Sequence, residues 1–419
     1  MTRHDPPWDC GITNRFSVNA IPFTYRYPYP SGFNASRAQA TLETATFDPQ
    51  ALHPYFFSGV SLAPRSFAQM LLLLSKVVRT HFHLHLPPDY LDPVITASPA
   101  TLRLEGFSAC CGVYARADLP TDAFEGGTLA SGTTNVDFGP AMQSALNRIG
   151  DTDEIVWRVG RDEVELSTSS DSIIERKVKL PARWVKCFTE VQTIQKRLKP
   201  RLKLSRDQSV KLFKLLPKGK PPKRPLTITE SRGRVGLSTR PSSEGVRLSG
   251  VHRLAVAEPL LRSSDYLRIW NDEADNTGWE WSGPAGRFFL LHSPQPYRAF
   301  SGEGQNLLEF ATTPWAISNS GFDVVEQSDF MRSLPFDLDR MERMQSRLKS
   351  ARRLLDIGGV ERADEKTDEF HIHSSNSSQY VRFVDGEGIC SCKWYARHKN
   401  ERGPCKHILA ALLFGESQS

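Results

Sequence analysis

The 419-residue sequence predicts an α+β fold, with a mixed α/β body, a helical connector and a small C-terminal ββα-like module. Apolar residues recur at both helical and strand spacing, so neither type of element dominates. Hydrophobic residues make up 39% of the chain and charged residues 24%, which provides enough apolar surface for packed cores. Because ordinary domains contain roughly 100–200 residues, we expect more than one domain.

The body is expected at residues 21–300, after a disordered tail at 1–20. Alternating aromatic residues predict a first strand at Phe23–Tyr29. Apolar residues at helical spacing predict a helix over Ser61–Val78, with Pro64 in its first turn and a buried face on one side. Further short strands are predicted at Thr101–Phe107 and Gly112–Ala115.

A weak internal repeat lies within the body. Its clearest trace is Val164–Thr168 against Val235–Thr239, 71 residues apart, within units at about 133–200 and 204–265. Each unit is expected to contain a helix, a strand with the motif, another strand and a second helix. The predicted elements are Ala141–Ile149, Ser172–Leu180 and Ala182–Leu198 in the first unit and Gln208–Leu216, Gly245–Leu248 and His252–Leu261 in the second. Duplication and chance similarity both remain open.

The connector is expected at residues 301–365 and the C-terminal module at 366–419. The connector begins with an irregular stretch, after which Asp337 caps a predicted helix over Leu338–Ile357 that stops at Gly358. Strand alternation then predicts His371–Ser374 and Gln379–Val384 in the module.

No window approaches the roughly 18 consecutive apolar residues of a membrane span, and the N-terminal residues lack the apolar stretch of a signal peptide. We therefore expect a cytoplasmic protein without membrane contact. The seven cysteines are not expected to form disulfides in that reducing environment. Three of them cluster near the C-terminus and require another explanation.

The clustered cysteines form the pattern CxCx12CxH, made by Cys390, Cys392, Cys405 and His407. Residues two apart on a strand share a face, and Pro404 places Cys405 at the start of a helix. Three thiolates and one imidazole are a preferred ligand set for structural Zn²⁺. With four protein ligands no position stays open for water, so a catalytic metal is disfavoured. His398 is the rival to His407 as fourth ligand.

This spacing and the apolar helix after it resemble the SWIM zinc finger. Landmarks farther upstream, Thr133–Phe138, Val159–Val164, Leu180–Trp184 and Phe300–Gln305, resemble bacterial SWIM-finger proteins. The resemblance implies a zinc-binding finger at 366–419. It also implies a gene neighbourhood with MoxR-type AAA+ ATPases and von Willebrand A-domain proteins, and therefore a protein partner of that kind. The segment before the finger departs from the relatives' winged-helix-like region, and the resemblance names no reaction.

Charge is distributed unevenly along the chain. Residues 176–225 hold 17 Lys or Arg against two acids, and the finger has its own group of cations and an aromatic residue. Cations beside an aromatic ring are typical of nucleic-acid contacts, and DNA is the first candidate partner. The predicted contacts in the finger are Lys393, Trp394, Arg397, Lys399, Arg402 and Lys406. A solvated helix face, packing of Trp394 under the metal, and an adaptor role toward a protein remain the alternatives.

An enzyme is not expected. His81, His83 and His85 alternate along one possible strand, but an exposed polar face explains them without a metal. The pair Cys110 and Cys111 is explained by burial, the usual environment of free cysteine. The sequence contains no credible pair of nucleophile and base.

Overall fold

The computed structural model describes residues 32–34, 39–41, 55–80, 93–178, 182–217, 224–248, 250–295, 300, 307, 320–323, 328–331, 345–364, 367–374, 377–400 and 402–418. The chain divides into two compact units, Met1–Pro54 and Tyr55–Ser419. The first unit contains an antiparallel hairpin of β1 (Gly32–Asn34) and β2 (Gln39–Thr41). The predicted tail at 1–20 and strand at Phe23–Tyr29 lie outside the described residues.

The largest sheet of the second unit has eight antiparallel strands, ordered β12-β16-β17-β18-β6-β5-β4-β8. Its strands are β4 (Val94–Ala97), β5 (Thr101–Phe107), β6 (Val113–Pro120), β8 (Gly132–Asn135), β12 (Lys199–Ser205), β16 (Tyr266–Asn271), β17 (Thr277–Gly283) and β18 (Gly286–His292). The predicted strand Thr101–Phe107 is present with those bounds, and the strand predicted at Gly112–Ala115 continues to Pro120.

Two smaller antiparallel sheets complete the body. One has the order β11-β10-β9-β3-β7 and the other has the order β14-β13-β15. Their strands are β3 (Tyr55–Ser61), β7 (Phe124–Thr128), β9 (Val156–Gly160), β10 (Glu163–Ser167), β11 (Ser172–Arg176), β13 (Leu226–Ser231), β14 (Arg234–Ser238) and β15 (Val246–Leu248). The mixed α+β class is therefore confirmed.

Helices cover the apolar sides of these sheets. They are α1 (Pro64–Arg79), α2 (Pro140–Arg148), α3 (Ala182–Arg197) and α4 (Arg206–Leu215). The helix predicted from Ser61 begins at Pro64 instead, because Ser61 is the last residue of β3. The missing N–H of Pro64 costs no helical hydrogen bond there, and Phe67, Leu71 and Leu74 on the predicted face are fully buried. At the start of α4, the side chains of Ser205 and Gln208 form a capping box.

The helix predicted at His252–Leu261 is a 3-10 helix, Val251–Arg262, rather than an α-helix. Pro259 lies inside it, and proline has no N–H to donate to the preceding turn. Gly250 precedes it in the left-handed region with φ of 61°, where a side chain would be strained. Local proline chemistry therefore overrides the apolar spacing.

The two units of the predicted repeat have the same order of elements. A strand and a helix, β8 and α2 or β12 and α4, precede three strands in each case. The pairing differs, because β10 lies between β9 and β11 whereas β14 is an edge strand and β15 pairs with β13. Descent by duplication stays a prediction.

Buried charges lie on one face of the eight-stranded sheet. Arg116 donates to Gln195 of α3 at 2.8 Å, and its Nε lies 2.9 Å from a carboxylate oxygen of Asp118. Glu280 is fully buried, with one oxygen 3.7 Å from Nη1 of Arg268, and neither oxygen accepts a hydrogen bond in the described chain. Burial of this carboxyl group raises its pKa to about 7.

The C-terminal part forms a separate hydrophobic cluster. Its sheet has the order β21-β22-β23-β24 and packs on helices α5 and α7. These elements are α5 (Ser346–Asp356), β21 (Val360–Arg362), β22 (Glu369–Ser374), β23 (Ser377–Val384), β24 (Glu387–Cys390), α6 (Lys393–His398) and α7 (Lys406–Gln418). The finger thus has four strands in its sheet, and α5 and β21, from the predicted connector, pack with it.

The predicted irregular stretch of the connector includes a hairpin, β19 (Ser320–Asp323) and β20 (Ser328–Met331). The continuous helix predicted over Leu338–Ile357 is not formed, because α5 begins at Ser346 with the non-helical Gln345 as its N-cap. The predicted cap Asp337 lies outside the described residues. The domain boundaries stay predictions. None of the described helices has the length and apolar content that crossing a bilayer requires.

Candidate metal centre

The four predicted ligands come together between the finger's sheet and its helices. Each of Cys390, Cys392, Cys405 and His407 offers one ligand atom, and these atoms all lie within 4.8 Å of one another. All four residues are buried, none of them more than 6% exposed. In the described part of the chain, these four residues form a cluster of His and Cys side chains close enough together to hold one metal ion.

The distances fit a tetrahedral site. Nδ1 of His407 lies 3.7 Å from Sγ of Cys390 and 3.9 Å from Sγ of Cys405. In a tetrahedral zinc site with ordinary bond lengths, a sulfur and a nitrogen ligand are about 3.6 Å apart and two sulfurs about 3.8 Å apart. The side chains therefore need to move little to enclose an ion, and His407 would bind through Nδ1.

Each ligand is positioned by the local fold. Cys390 is the last residue of β24 and lies opposite Val381 on the inner face of the sheet. Cys392 is the N-cap of α6, and Cys405 directly precedes α7, whose second residue is His407. The predicted placement of Cys405 at a helix start is thus present, while the pair Cys390 and Cys392 spans the end of a strand and the start of a helix.

Backbone N–H groups are directed at all three sulfurs. Donors at 3.4–3.5 Å are the N–H of Cys392 to Cys390, of Tyr395 to Cys392 and of Ile408 to Cys405. Two of these N–H groups belong to first turns of helices, where backbone donors have no helical partner. Such bonds stabilise sulfur in its charged form, which is the form that binds metal.

Without a cation, three sulfurs this close cannot all carry charge. The hydrogen bond between the Cys390 thiol and Cys392 lowers the pKa of Cys392 far below its usual range and raises the pKa of Cys390 well above it. A divalent metal ion would remove this conflict by neutralising the thiolates. The donor set therefore favours a soft or borderline ion such as Zn²⁺.

A tight hairpin sets the register before the first ligand. Asp385 and Gly386 both have positive φ, 51° and 80°, between the paired residues Val384 and Glu387. Two such residues are typical of a type I′ turn, for which Asp-Gly is a favoured sequence. Gly388 faces α7, and a Cβ there would lie 2.6 Å from Cγ2 of Ile408. The glycine allows the helix to approach the strand that carries Cys390.

Arg347 of α5 contacts the segment before the third ligand. Its Nη1 donates to the carbonyl oxygens of Arg402 at 3.0 Å and Pro404 at 2.6 Å. Its guanidinium carbon lies 4.8 Å from the ring centroid of Trp394. The sequence did not indicate this residue, because its partners are 55 and 57 positions away and no local pattern connects them.

The predicted nucleic-acid contacts fall into two groups. Lys393, Arg397, Lys399 and Arg402 are exposed on α6 and the loop after it, and we call these four residues the basic loop face. Lys406 is half-buried. Trp394 is also half-buried and packs against the finger's core, so the structural alternative applies to its ring.

His398 is not part of the ligand cluster. Its ring contacts Trp394 with centroids 4.5 Å apart, at the end of α6. Among the described residues, the cluster that could hold a metal contains His407 and not His398. Of the two predicted candidates for the fourth ligand, the position of His407 supports it and the position of His398 does not.

In the described part of the basic segment 176–225, the cations do not form one patch. Lys196, Arg197, Lys199 and Arg201 line one groove of about 890 Å³, which also contains Asp272, Glu273 and Asp275. Arg206 and Lys214 line another groove, of about 1060 Å³, which also contains Asp151, Glu258 and Asp265. Within the segment, Lys199–Ser205 is a strand rather than part of a helix, and it presents Lys199, Arg201 and Lys203 to solvent.

The other candidate residues are not part of the metal centre. His81, His83 and His85 lie outside the described residues. Cys110 and Cys111 are buried between β5 and β6, where the sulfur of Cys110 lies 3.5 Å from Oγ of Ser108. Their burial agrees with the packing interpretation.

Comparison with known proteins matches the finger. The family model of the SWIM zinc finger matches residues 380–415, which include all four candidate ligands. A search of curated protein sequences finds no match. The family match and the donor set together point to zinc as the bound metal.

Two similar solved structures each align with 57% of this chain over 99% of their own chain. One is the PCNA2-PCNA3 complex from Sulfolobus tokodaii, with 9% sequence identity and a TM-score of 0.43. Another is the Proliferating Cellular Nuclear Antigen from Entamoeba histolytica, with 14% identity and a TM-score of 0.39.

Proposed function

We propose that this protein binds DNA through its zinc-held finger, as one component of a larger assembly. The observation that carries the proposal is the basic loop face, four exposed cations within ten residues of chain. Cations grouped in this way attract phosphates, and neutralising phosphates releases the counterions that surround DNA. In the described part of the segment 393–402, no acidic residue lies among these cations, and Glu401 lies outside the described residues.

The metal gives this loop its shape. α6 and the loop that follows run between the second ligand, Cys392, and the third, Cys405, so zinc would close the segment at both ends. Closure removes conformational freedom before binding, and less ordering then opposes association. Zinc therefore acts as a structural ion that preorganises the basic loop face.

The body offers further exposed cations at the edge strand β12, which neighbouring acids partly offset, since Lys199 lies 3.8 Å from Glu273. Lys199, Arg201 and Lys203 are exposed there, and Nζ of Lys203 lies 4.5 Å from the ring centroid of Tyr266. These cations would add contacts that weaken with salt and carry no base specificity. The finger provides the primary contact because its cations are closely spaced on a frame held by metal.

The test measures DNA affinity of the zinc-loaded full chain by fluorescence anisotropy over a salt series. We expect the logarithm of the affinity to fall linearly with the logarithm of salt concentration. Arg397→Gln should weaken binding and reduce the slope by about one. Arg382→Gln is the charge-matched control, because Arg382 is an exposed cation on the outer face of β23. Absence of binding at low salt would overturn the proposal.

A second candidate is an adaptor that binds protein. It is favoured by the outer face of the finger's sheet, where the exposed His371 and His373 and the half-buried Tyr380 form a row beside glutamates. The resemblance suggests an AAA+ ATPase or a von Willebrand A-domain protein as partner, in a bacterial cytoplasm. Co-purification that resists both salt and nuclease would favour this candidate over DNA binding.

We assign no reaction to the protein. Four protein ligands would fill a tetrahedral zinc site and leave no position for a water or a substrate. The buried pair Cys110 and Cys111 is closed to solvent. A turnover assay is therefore not the informative experiment, and binding assays are.

A further inference from the structure

Trp394 is the aromatic residue of the finger that the sequence places among the cations, and its ring is engaged within the protein. The guanidinium carbons of Arg347 and Arg402 lie 4.8 and 5.9 Å from its centroid, and the ring of His398 contacts it. Its indole Nε1 is buried. A nucleobase would have to displace these groups in order to stack on the ring.

Tyr395 offers no replacement. It packs against the finger's hydrophobic cluster beside the metal ligands, and its backbone N–H donates to the sulfur of Cys392. The ring is therefore part of the finger's packing. Trp394 and Tyr395, which lie among these cations in sequence, therefore serve the fold.

The finger's other aromatic surface has the wrong charge. On the outer face of its sheet, the rings of His371 and Tyr380 lie 5.5 Å apart, and the row continues to His373. The same face carries three glutamates and one arginine. These charged residues are Glu361, Glu369, Glu387 and Arg382. With uncharged histidines the face is net negative and repels phosphates.

Single-strand binders combine cations and accessible rings on one surface. In the described part of the finger these features are separated, because the cations are on the basic loop face and the accessible rings are on the acidic outer face. Contacts to phosphates alone favour the duplex, whose charge density is one per about 1.7 Å of axis. The arrangement therefore discriminates between strand states without reading bases.

We propose that the basic loop face binds double-stranded DNA along its phosphate backbone, in preference to single strands and without base stacking. This inference rests on the proposed function and specifies its ligand. It concerns the same residues, with Trp394 and Arg347 supporting the loop rather than contacting DNA.

The experiment compares a mixed-sequence duplex about two helical turns long with its separated strands, each titrated against zinc-loaded full chain at several salt concentrations. We expect the duplex to bind on the order of tenfold more tightly. A single strand that binds without stacking lacks the factor of about ten per base that stacking contributes elsewhere. We also expect a steeper salt dependence for the duplex.

Three variants separate stacking from charge. Tyr380→Leu removes the accessible tyrosine ring and should leave both affinities unchanged, while Lys399→Gln should weaken duplex binding. Trp394→Leu, checked for zinc content, should preserve the preference for duplex. Equal or tighter binding of a single strand by the wild-type chain would overturn the inference and leave DNA binding intact. Loss of single-strand binding in either aromatic variant would do the same. Binding of neither ligand at low salt would instead overturn the proposed function.

Discussion

Arg347→Ala should loosen the metal centre, although Arg347 is not a ligand. The side chain donates to the carbonyl oxygens of Arg402 and Pro404, directly before Cys405, and lies over Trp394 next to Cys392. It thereby connects α5 to both ends of the segment that the metal would close. Removing it leaves two carbonyl groups to water and the indole ring without one of its cations.

The magnitude follows from these contacts. Hydrogen bonds from a charged donor contribute about 1.5–3 kcal/mol, toward the lower end where solvent competes, as at the exposed Arg402 carbonyl. A cation over an exposed aromatic ring adds about 0.5–1 kcal/mol. Because these contacts are mutually dependent, we expect a total of about 2–3 kcal/mol.

The assay follows zinc transfer from the full chain to a chromogenic chelator. If local opening of the loop limits transfer, the expected loss corresponds to a rate increase of roughly 30- to 150-fold. Arg347→Lys should give an intermediate rate, since it keeps the charge but loses the planar fork. Lys349→Ala, two positions along α5 on its exposed side, is the matched control. Equal rates for the control and Arg347→Ala would refute the reasoning.

Two further predictions concern stability. Glu280 has its folded pKa raised to about 7 by burial, so between about pH 4.5 and 7 the native state keeps a proton that the unfolded chain has lost, and stability falls by up to about 3 kcal/mol as pH rises. Glu280→Gln should remove this fall, measured by urea unfolding at pH 5 and pH 8 through the buried Trp279 and Trp281, and parallel pH curves for both proteins would contradict it. Gly388→Ala should speed zinc release in the chelator assay, because its added Cβ would collide with Ile408. Gly358→Ala is the comparison variant. Its added Cβ meets no atom, but the φ of 65° strains any side chain there, so it reports backbone strain alone.

The sequence was most informative where a local signal has one physical meaning. Pro64 lies in the first turn of α1 as predicted, because only there does its missing N–H cost no helical hydrogen bond, and the strand-like run Thr101–Phe107 has the bounds of β5. The spacing of Cys390, Cys392, Cys405 and His407 likewise predicted the cluster that the structure forms. Each of these signals lies within one short stretch of the chain.

Elsewhere the decisive contacts are distant in sequence. Lys199–Ser205 resembles its helical neighbours in charge, and its pairing with Tyr266–Asn271 is what makes it a strand. The role of Arg347 depends on carbonyl groups more than fifty positions away. The packing of Trp394 was left open by composition alone, since cations beside an aromatic residue are equally consistent with stacking on a base or on an arginine.

Metal analysis of the purified full chain tests the central claim most directly. Protein prepared without chelators should contain about one zinc per molecule, and Cys405→Ser should reduce this content sharply while the buried tryptophans of the body keep their fluorescence. A wild-type chain that contains far less than one metal ion, and that gains none on incubation with zinc, would contradict the account.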